Sequence, residues 1–341
     1  MPVVGTTALP DVDSIDSLDN GVEDEVTVNW PDTIDYRWYR VQFRESGQND
    51  WLWALSNRAT ISAADDTTDW GNSGYDQYVT VSAVNSPSKD GTAVQAYIED
   101  GSGATYTRSL AYKPASSFSV EDYLQFWVRA DSIDTGDHTI TVRLQDVDGN
   151  TDKTKITVPE GEWQIKQVSE HDYSVDTQNL DHIRWWADTL DTGDAFYLDS
   201  VITGHYEVPE TTSSLTVPHL SDGVEYEFRV RTQTEHRVGS WTPVASIITN
   251  FPSPTNPAAS LSSTNPKTTV ELSFEDHADS EDGVRVLRQR EYDSGWGPLR
   301  EVADLGPNAG TGTVTTVDDT ASPGNIYRYA FEAYKIGRAH V

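Results

Sequence analysis

The side chains of this chain best suited to specific chemistry are indoles, guanidiniums and primary amides set two apart along short alternating runs. In Leu124–Arg129 one register carries Leu124, Phe126 and Val128, and the other carries Gln125, Trp127 and Arg129. In Ile140–Gln145, apolar Ile140, Val142 and Leu144 alternate with Thr141, Arg143 and Gln145. In Ile183–Asp188, the residues Ile183, Trp185 and Ala187 oppose Arg184, Trp186 and Asp188. A strand sends successive side chains to opposite faces, so the second set in each run points away from an apolar core. If the three runs share one sheet, Gln125, Trp127, Arg129, Arg143, Gln145, Arg184, Trp186 and Asp188 stand on one outer face. Flat aromatic surface takes the CH face of a sugar, and planar donors and acceptors ring it, so such a face is suited to holding a glycan. The competing reading of the same residues is packing. The two Trp then lie under a loop or an adjoining module, with Arg stacked on them and paired to nearby Asp.

Catalytic constellations are missing from the sequence. It contains no Walker A loop, no G-x-G-x-x-G, no G-x-S-x-G and no H-E-x-x-H. With 55 carboxylates, some acidic pair falls at glycosidase spacing by chance, so a pair carries no meaning. The eight His follow no ligand spacing. Asp146-Val-Asp-Gly-Asn-Thr-Asp152 superficially resembles a calcium loop but has Thr157 where the bidentate Glu would stand. It reads as a hairpin turn. Zero Cys removes disulfides, thiolate metal sites and thiol nucleophiles together. These absences predict a protein that is not an enzyme.

The elements that must position these side chains are strands. Short alternating runs bounded by Gly, Asp, Asn, Pro and Ser recur along the 341 residues, among them Val26–Trp30, Tyr39–Phe43, Tyr226–Arg231, Val270–Phe274 and Tyr327–Tyr334. This pattern predicts an all-β, multi-domain chain of β-sandwiches. The chain carries 36 Asp and 19 Glu against 7 Lys and 17 Arg, for a net charge of −31. A polyanion such as nucleic acid needs a basic footprint and anionic lipid would be repelled, so neither is an expected partner. No run of 18 apolar residues exists, so no membrane insertion is expected. Eleven Trp and sixteen Tyr argue for folded cores rather than an acidic disordered chain.

Two segments resemble fibronectin type III modules. In the first, Val26–Trp30 is similar to strand B with its core Trp, and Tyr39–Phe43 to strand C. The other half follows much later, in Leu220-Ser-Asp-Gly-Val-Glu-Tyr226, which has the spacing of a tyrosine corner, and Gly239-Ser-Trp241. The second copy has Val270–Phe274 as strand B with Phe in the Trp place, Val284–Val286 as strand C, and Asp319–Phe331 as its corner and strand F. The intervening segment, through Asp69-Trp-Gly71, Tyr123–Asp131, Ile140–Asn150, Val158–Trp163, Leu180–Asp188 and Phe196–Val201, resembles the galactose-binding-like jelly rolls that serve as carbohydrate-binding modules. The expected division is residues 9–60 plus 205–250 for the interrupted first module and 61–204 for the inserted jelly roll. Residues 251–258 follow as a Pro-rich linker, then 259–335 as a module lacking its last strand. Residues 336–341 match the in-frame translation of the start of a common sequencing adapter and are expected to be an artefact.

The jelly-roll resemblance implies a structural calcium ion between an N-terminal carboxylate, Asp65 or Asp66, and the last-strand Asp199; two ordinary surface carboxylates are the alternative. The excess of Asp over Glu and of Arg over Lys resembles haloarchaeal proteins. At molar salt the Debye length is about 3 Å, which screens repulsion among exposed carboxylates. Together these likenesses imply a non-catalytic extracellular or virion tail or fibre protein of a high-salt system. Fibronectin-like spacers would present a jelly roll to a cell-surface glycan or to other virion or surface subunits. The alternatives are a structural scaffold that binds no sugar, and accessory modules of a truncated glycoside hydrolase.

Overall fold

The computed structural model describes residues 12–20, 25–31, 38–64, 67–71, 79–84, 93–99, 109–132, 136–187, 189–221, 223–235, 237–249, 254–265, 267–277, 283–292, 295–306 and 312–334. The protein is all-β. Among the described residues its regular elements are antiparallel strands and a 3-10 turn at Glu170–Asp172 that Ser169 caps.

Two sheets sandwich the core of the central region. Sheet I runs in the order Gln164–Ser169, Tyr123–Asp131, Ala195–His205, Ala93–Ile98, Val79–Val84, with Ser56–Ser62 also on Ala195–His205. Sheet II runs Thr151–Pro159, Asp137–Asp146, Leu180–Ala187, Ser109–Tyr112. The alternation read from the sequence sets the inner faces. Leu124, Phe126 and Val128 from sheet I meet Ile140, Val142, Leu144, Ile183 and Trp185 from sheet II, all at 0% exposure. Asp146 closes the Asp137–Asp146/Thr151–Pro159 hairpin, accepting from the backbone N–H of Asp148 and Asn150 and from the Asn150 amide. Gly149 at φ 86° takes the left-handed position. The acidic run there is a turn, as expected.

A second core joins residues far apart in sequence. Val26, Val28, Trp30, Tyr39, Val41 and Phe43 pack with Val208, Val217, Leu220, Tyr226, Phe228 and Val230. Its sheets are Ser17–Asn20, Val26–Asn29, Ser214–Val217, and a second around Trp38–Glu45 paired with Glu225–Thr234. Tyr226 forms the corner, its hydroxyl accepting from the Ser221 N–H at 3.0 Å. Ser56–Ser62 hydrogen-bonds to sheet I as one strand from residue 56, across the expected division at 60 and 61.

The last region repeats this plan. Thr255–Leu261, Val270–Asp276 and Gly312–Asp318 form one sheet, and Gly283–Tyr292 with Arg300–Asp304 and Tyr327–Tyr334 forms the other. Residues 255–258 of the expected linker are therefore strand. Phe274 occupies the Trp place and lies 4.4 Å from Phe331, and the Tyr327 hydroxyl accepts from the Ser322 N–H at 3.1 Å. Glu225–Thr234 is paired along both edges, on Trp38–Glu45 and on Ala245–Ile248. Among the described residues, Tyr327–Tyr334 pairs with Gly283–Tyr292 alone. Residues 336–341 lie outside the described residues.

Candidate functional site

The single outer face expected from the sequence is not assembled. The strand bearing Gln125, Trp127 and Arg129 belongs to sheet I, whereas Arg143, Gln145, Arg184 and Trp186 stand on sheet II, on the opposite side of the sandwich. Hydrophobic alternation says which side chains face inward but not which of two sheets a strand joins. Asp188 lies outside the described residues.

The outer face of sheet I is sealed against the first module. Trp127 is 3% exposed and its indole N–H donates to the His219 carbonyl at 2.7 Å. Gln125, 4% exposed, accepts from the Gln167 amide at 2.7 Å, and that amide also donates to the Trp53 carbonyl. The Trp53 N–H returns the bond to Gln167 Oε1 at 2.9 Å, so Gln167 clamps the Trp53 backbone as a paired strand would. Arg129 is paired with Asp131, Nε to Oδ1 at 2.7 Å. On sheet II, Trp186 is 5% exposed and Arg184 fully buried, with the guanidinium 5.6 Å from the indole centroid. Neither Trp127 nor Trp186 is the open stacking platform that the sequence suggested; each is packed.

The junction leaves a cleft of about 420 Å³ between the two cores. Trp127, Trp163, Ile165 and Leu52 supply its apolar wall, and Gln48, Asp50, Gln164, Lys166 and Gln167 its polar lining. Trp163 is half-buried and packs on Tyr197. Burial pushes the Lys166 ammonium below its ordinary value, against the opposing pull of Asp50 and Asp137. Clefts between domains with an apolar wall and a few polar groups are where small ligands are usually held.

Beside that cleft the first module carries a stack of alternating cations and rings, of which Arg44 also lines the cleft. Arg229 lies 4.0 Å from the Trp51 centroid and 4.5 Å from Trp241; Arg231 lies 4.2 Å from Trp241; Arg40 lies 4.2 Å from Tyr206. Arg44 sits over Trp51 at 4.4 Å and pairs with Glu227 at 2.7 Å. Burial first, and neighbouring guanidiniums second, lower the pKa of Arg229 and Arg231, as expected where like charges are packed between rings. Trp53 ends this stack, 6.1 Å from Trp241 and 5.4 Å from Tyr206, and passes its position to Gln167.

Sequence reasoning missed Trp163, Lys166, Gln167 and Trp53, because their meeting depends on how two modules dock. It also missed Lys153 and Lys155. Their signal was present: Thr151–Pro159 alternates Lys153 and Lys155 with Thr154, Ile156 and Val158. As for the expected calcium ion, Asp65 lies outside the described residues, and Asp199 is fully buried and accepts from the Ser200 hydroxyl at 3.2 Å. Among the described residues no group of three or more His, Asp or Glu is arranged to hold a metal.

Fold and site together define a modular protein of β-sandwiches with a cleft where two of them meet. No family model and no curated protein matches the sequence. Solved structures it is similar to include a two-domain fibronectin type III segment from chicken tenascin, at 10% identity and a TM-score of 0.30 over 75% of this chain and 90% of that one. Another is the carbohydrate-binding module TmCBM61 in complex with β-1,4-galactotriose, at 17% identity and a TM-score of 0.28 over 41% of this chain and 92% of that one. An exo-β-agarase overlaps 44% of this chain at 11% identity and a TM-score of 0.33, and the overlap spans only 25% of the agarase.

Proposed function

We propose that the chain is a non-catalytic glycan-binding protein in which fibronectin-like modules orient a jelly roll, and that the glycan lies in the cleft between the jelly roll and the first module. The observation that carries this reading is the cleft itself, about 420 Å³, with two indoles in its wall and amide, carboxylate and ammonium groups around them. A sugar presents apolar CH faces and many hydroxyls. Trp163 offers the ring, and Gln48, Asp50, Gln164 and Lys166 offer hydrogen-bonding partners of both kinds. The proposed setting is an extracellular or virion surface in concentrated salt; the net charge of −31 supports the salt. The test is retention of the full chain on a panel of immobilised neutral glycans, with Trp163→Ala and Gln164→Ala beside the parent. The expected result is retention on at least one glycan that both variants weaken tenfold or more while the melting curve is unchanged. Retention on none, or equal retention by all three proteins, overturns the reading.

A second reading, a scaffold that binds no sugar, is favoured by one specific observation. The two indoles picked out in the sequence are spent on packing, Trp127 at 3% and Trp186 at 5% exposure. In that reading the clamped junction serves only to hold two sandwiches at a fixed angle.

A further inference from the structure

Among the described residues, the junction cleft has four charged side chains in its lining: Arg44, Glu45, Asp50 and Lys166. They are not equivalent. Arg44 is committed to Glu227 and to the Trp51 ring. Asp50 is exposed, so water solvates its carboxylate at the rim. Lys166 is half-buried on Gln164–Ser169, the terminal strand of sheet I. Its ammonium donates to Gln164 Oε1 at 3.4 Å and, among the described residues, forms no ion pair, with half-buried Glu45 or with any other carboxylate. Asp50 and Asp137 pull on it from beyond ion-pair distance, while burial pushes its pKa down. Trp127, Trp163, Ile165 and Leu52 form the apolar wall of the same cleft.

An ammonium taken partly out of water is unfavourable unless an anion or several acceptors meet it. The chain carries 55 carboxylates, and among the described ones none is set against Lys166. A neutral glycan would bring it hydroxyls, whereas an acidic one would bring the missing counter-charge through a charge-assisted bond. We infer that the cleft selects an acidic oligosaccharide, one carboxylate or sulfate of which meets the Lys166 ammonium while a CH face of the sugar chain lies on Trp163. This rests on the reading that a glycan occupies the cleft, and adds the charge of that glycan. An ammonium is a compact point charge with three donors, so it tells an anionic sugar from a neutral one without favouring carboxylate over sulfate. In molar salt an exposed charge is screened within about 3 Å, but a partly desolvated contact is screened much less, so the selectivity survives in brine. Nucleic acid fits worse, because its closely spaced phosphates would meet Glu45, Asp50 and a protein of net charge −31 after a single cation.

The experiment is calorimetric titration of the full chain, in salt at which circular dichroism shows it folded, with two matched pairs of sugars. One pair is trigalacturonate and its methyl ester; the other is a sulfated carrageenan tetrasaccharide and its desulfated form. Parent, Lys166→Gln, Lys166→Arg and Trp163→Ala are compared. We expect the parent to bind at least one acidic sugar about tenfold more tightly than its neutral counterpart, the magnitude of one charge-assisted contact. Lys166→Gln should bring that ratio to about one, and Lys166→Arg should keep the preference. Trp163→Ala should weaken both members of the pair and leave their ratio. Which pair shows the preference tells carboxylate from sulfate. A parent that binds the neutral sugars and prefers neither acidic one overturns this inference and leaves a glycan in the cleft. A parent that binds no sugar overturns both. A preference that persists in Lys166→Gln places the anion elsewhere and equally overturns the inference. If Lys166→Gln does not fold, the side-chain ammonium resonance of Lys166 in the parent reads the same contact: it should shift with the acidic sugar and not with the neutral one, and no shift overturns the inference.

Discussion

Trp127 shows how far one side chain's role depends on what covers it. Its indole fills the junction and donates to a backbone carbonyl, that of His219. Trp127→Ala should therefore destabilise the central fold by about 3–5 kcal/mol, as deletion of a buried aromatic does, measurable by urea denaturation. An unchanged midpoint would show that the junction is not closed in solution. His182 gives a second expectation. Burial lowers its pKa below the ordinary 6.5, with the hydrogen bond to Asp181 opposing the shift. The folded state thus favours the neutral ring, while the unfolded chain takes up a proton as pH falls through 6.5. Its contribution is full above that value and declines as pH drops toward the lowered folded pKa. Melting temperature should fall from about pH 7 to about pH 5, and His182→Gln should flatten that slope.

At the scale of elements, the cation–ring stack on the first module fixes Trp53, and Trp53 fixes Gln167. Arg231 lies between Trp241 and Trp53, at 4.2 and 5.9 Å from their centroids. Arg231→Gln should cost about 1–2 kcal/mol of stability, the magnitude of partly desolvated cation–π contacts. It should also speed hydrogen exchange at the Trp53 amide, because the clamp loosens with the stack. In the last region Asp318 plays the comparable part. Burial pushes its carboxyl up, but bonds from Thr320, Tyr329 and Arg288 outweigh this and hold it below the usual carboxylate range. That stability is present above the unfolded value near 3.8 and lost as pH falls through the lower folded one. Asp318→Asn leaves Arg288 without its anion, and a loss of about 3–5 kcal/mol is expected, as when one partner of a buried pair is removed. Thermal melting of the last region as an isolated signal in the full chain would read it.

For the whole molecule, charge governs. A net −31 spread over the chain repels itself in dilute buffer and is screened at molar salt. Circular dichroism should show strand signal in molar KCl that weakens on dialysis, whereas an equal melting temperature at 3 M and 0.05 M salt would refute a brine-adapted fold. The three sandwiches should not melt together. Phe228, on a strand paired along both edges, is 0% exposed. Its counterpart Phe331, on a strand paired along one edge among the described residues, is only half-buried. Hydrogen exchange should run faster in Tyr327–Tyr334 than in Glu225–Thr234.

Local pattern determined a great deal here. Period-two alternation identified the inward residues of Tyr123–Asp131, Asp137–Asp146 and Leu180–Ala187, because a side chain's face follows from its parity along the strand. Turn chemistry identified the Asp146–Asn150 hairpin, and the Leu-to-Tyr spacing placed the Tyr226 hydroxyl on the Ser221 N–H. These are contacts within one strand or across one turn, and the chain's own geometry enforces them. The partners of the outward residues were decided only by tertiary structure. Trp127 and Trp186 both stand on the outward register of a strand whose other register is apolar. Yet one strand paired into sheet I beneath the first module and the other into sheet II beside Lys153. Strand-to-sheet assignment and the docking of modules join residues up to two hundred positions apart, through backbone hydrogen bonds that any sequence can make. No local alternation encodes them.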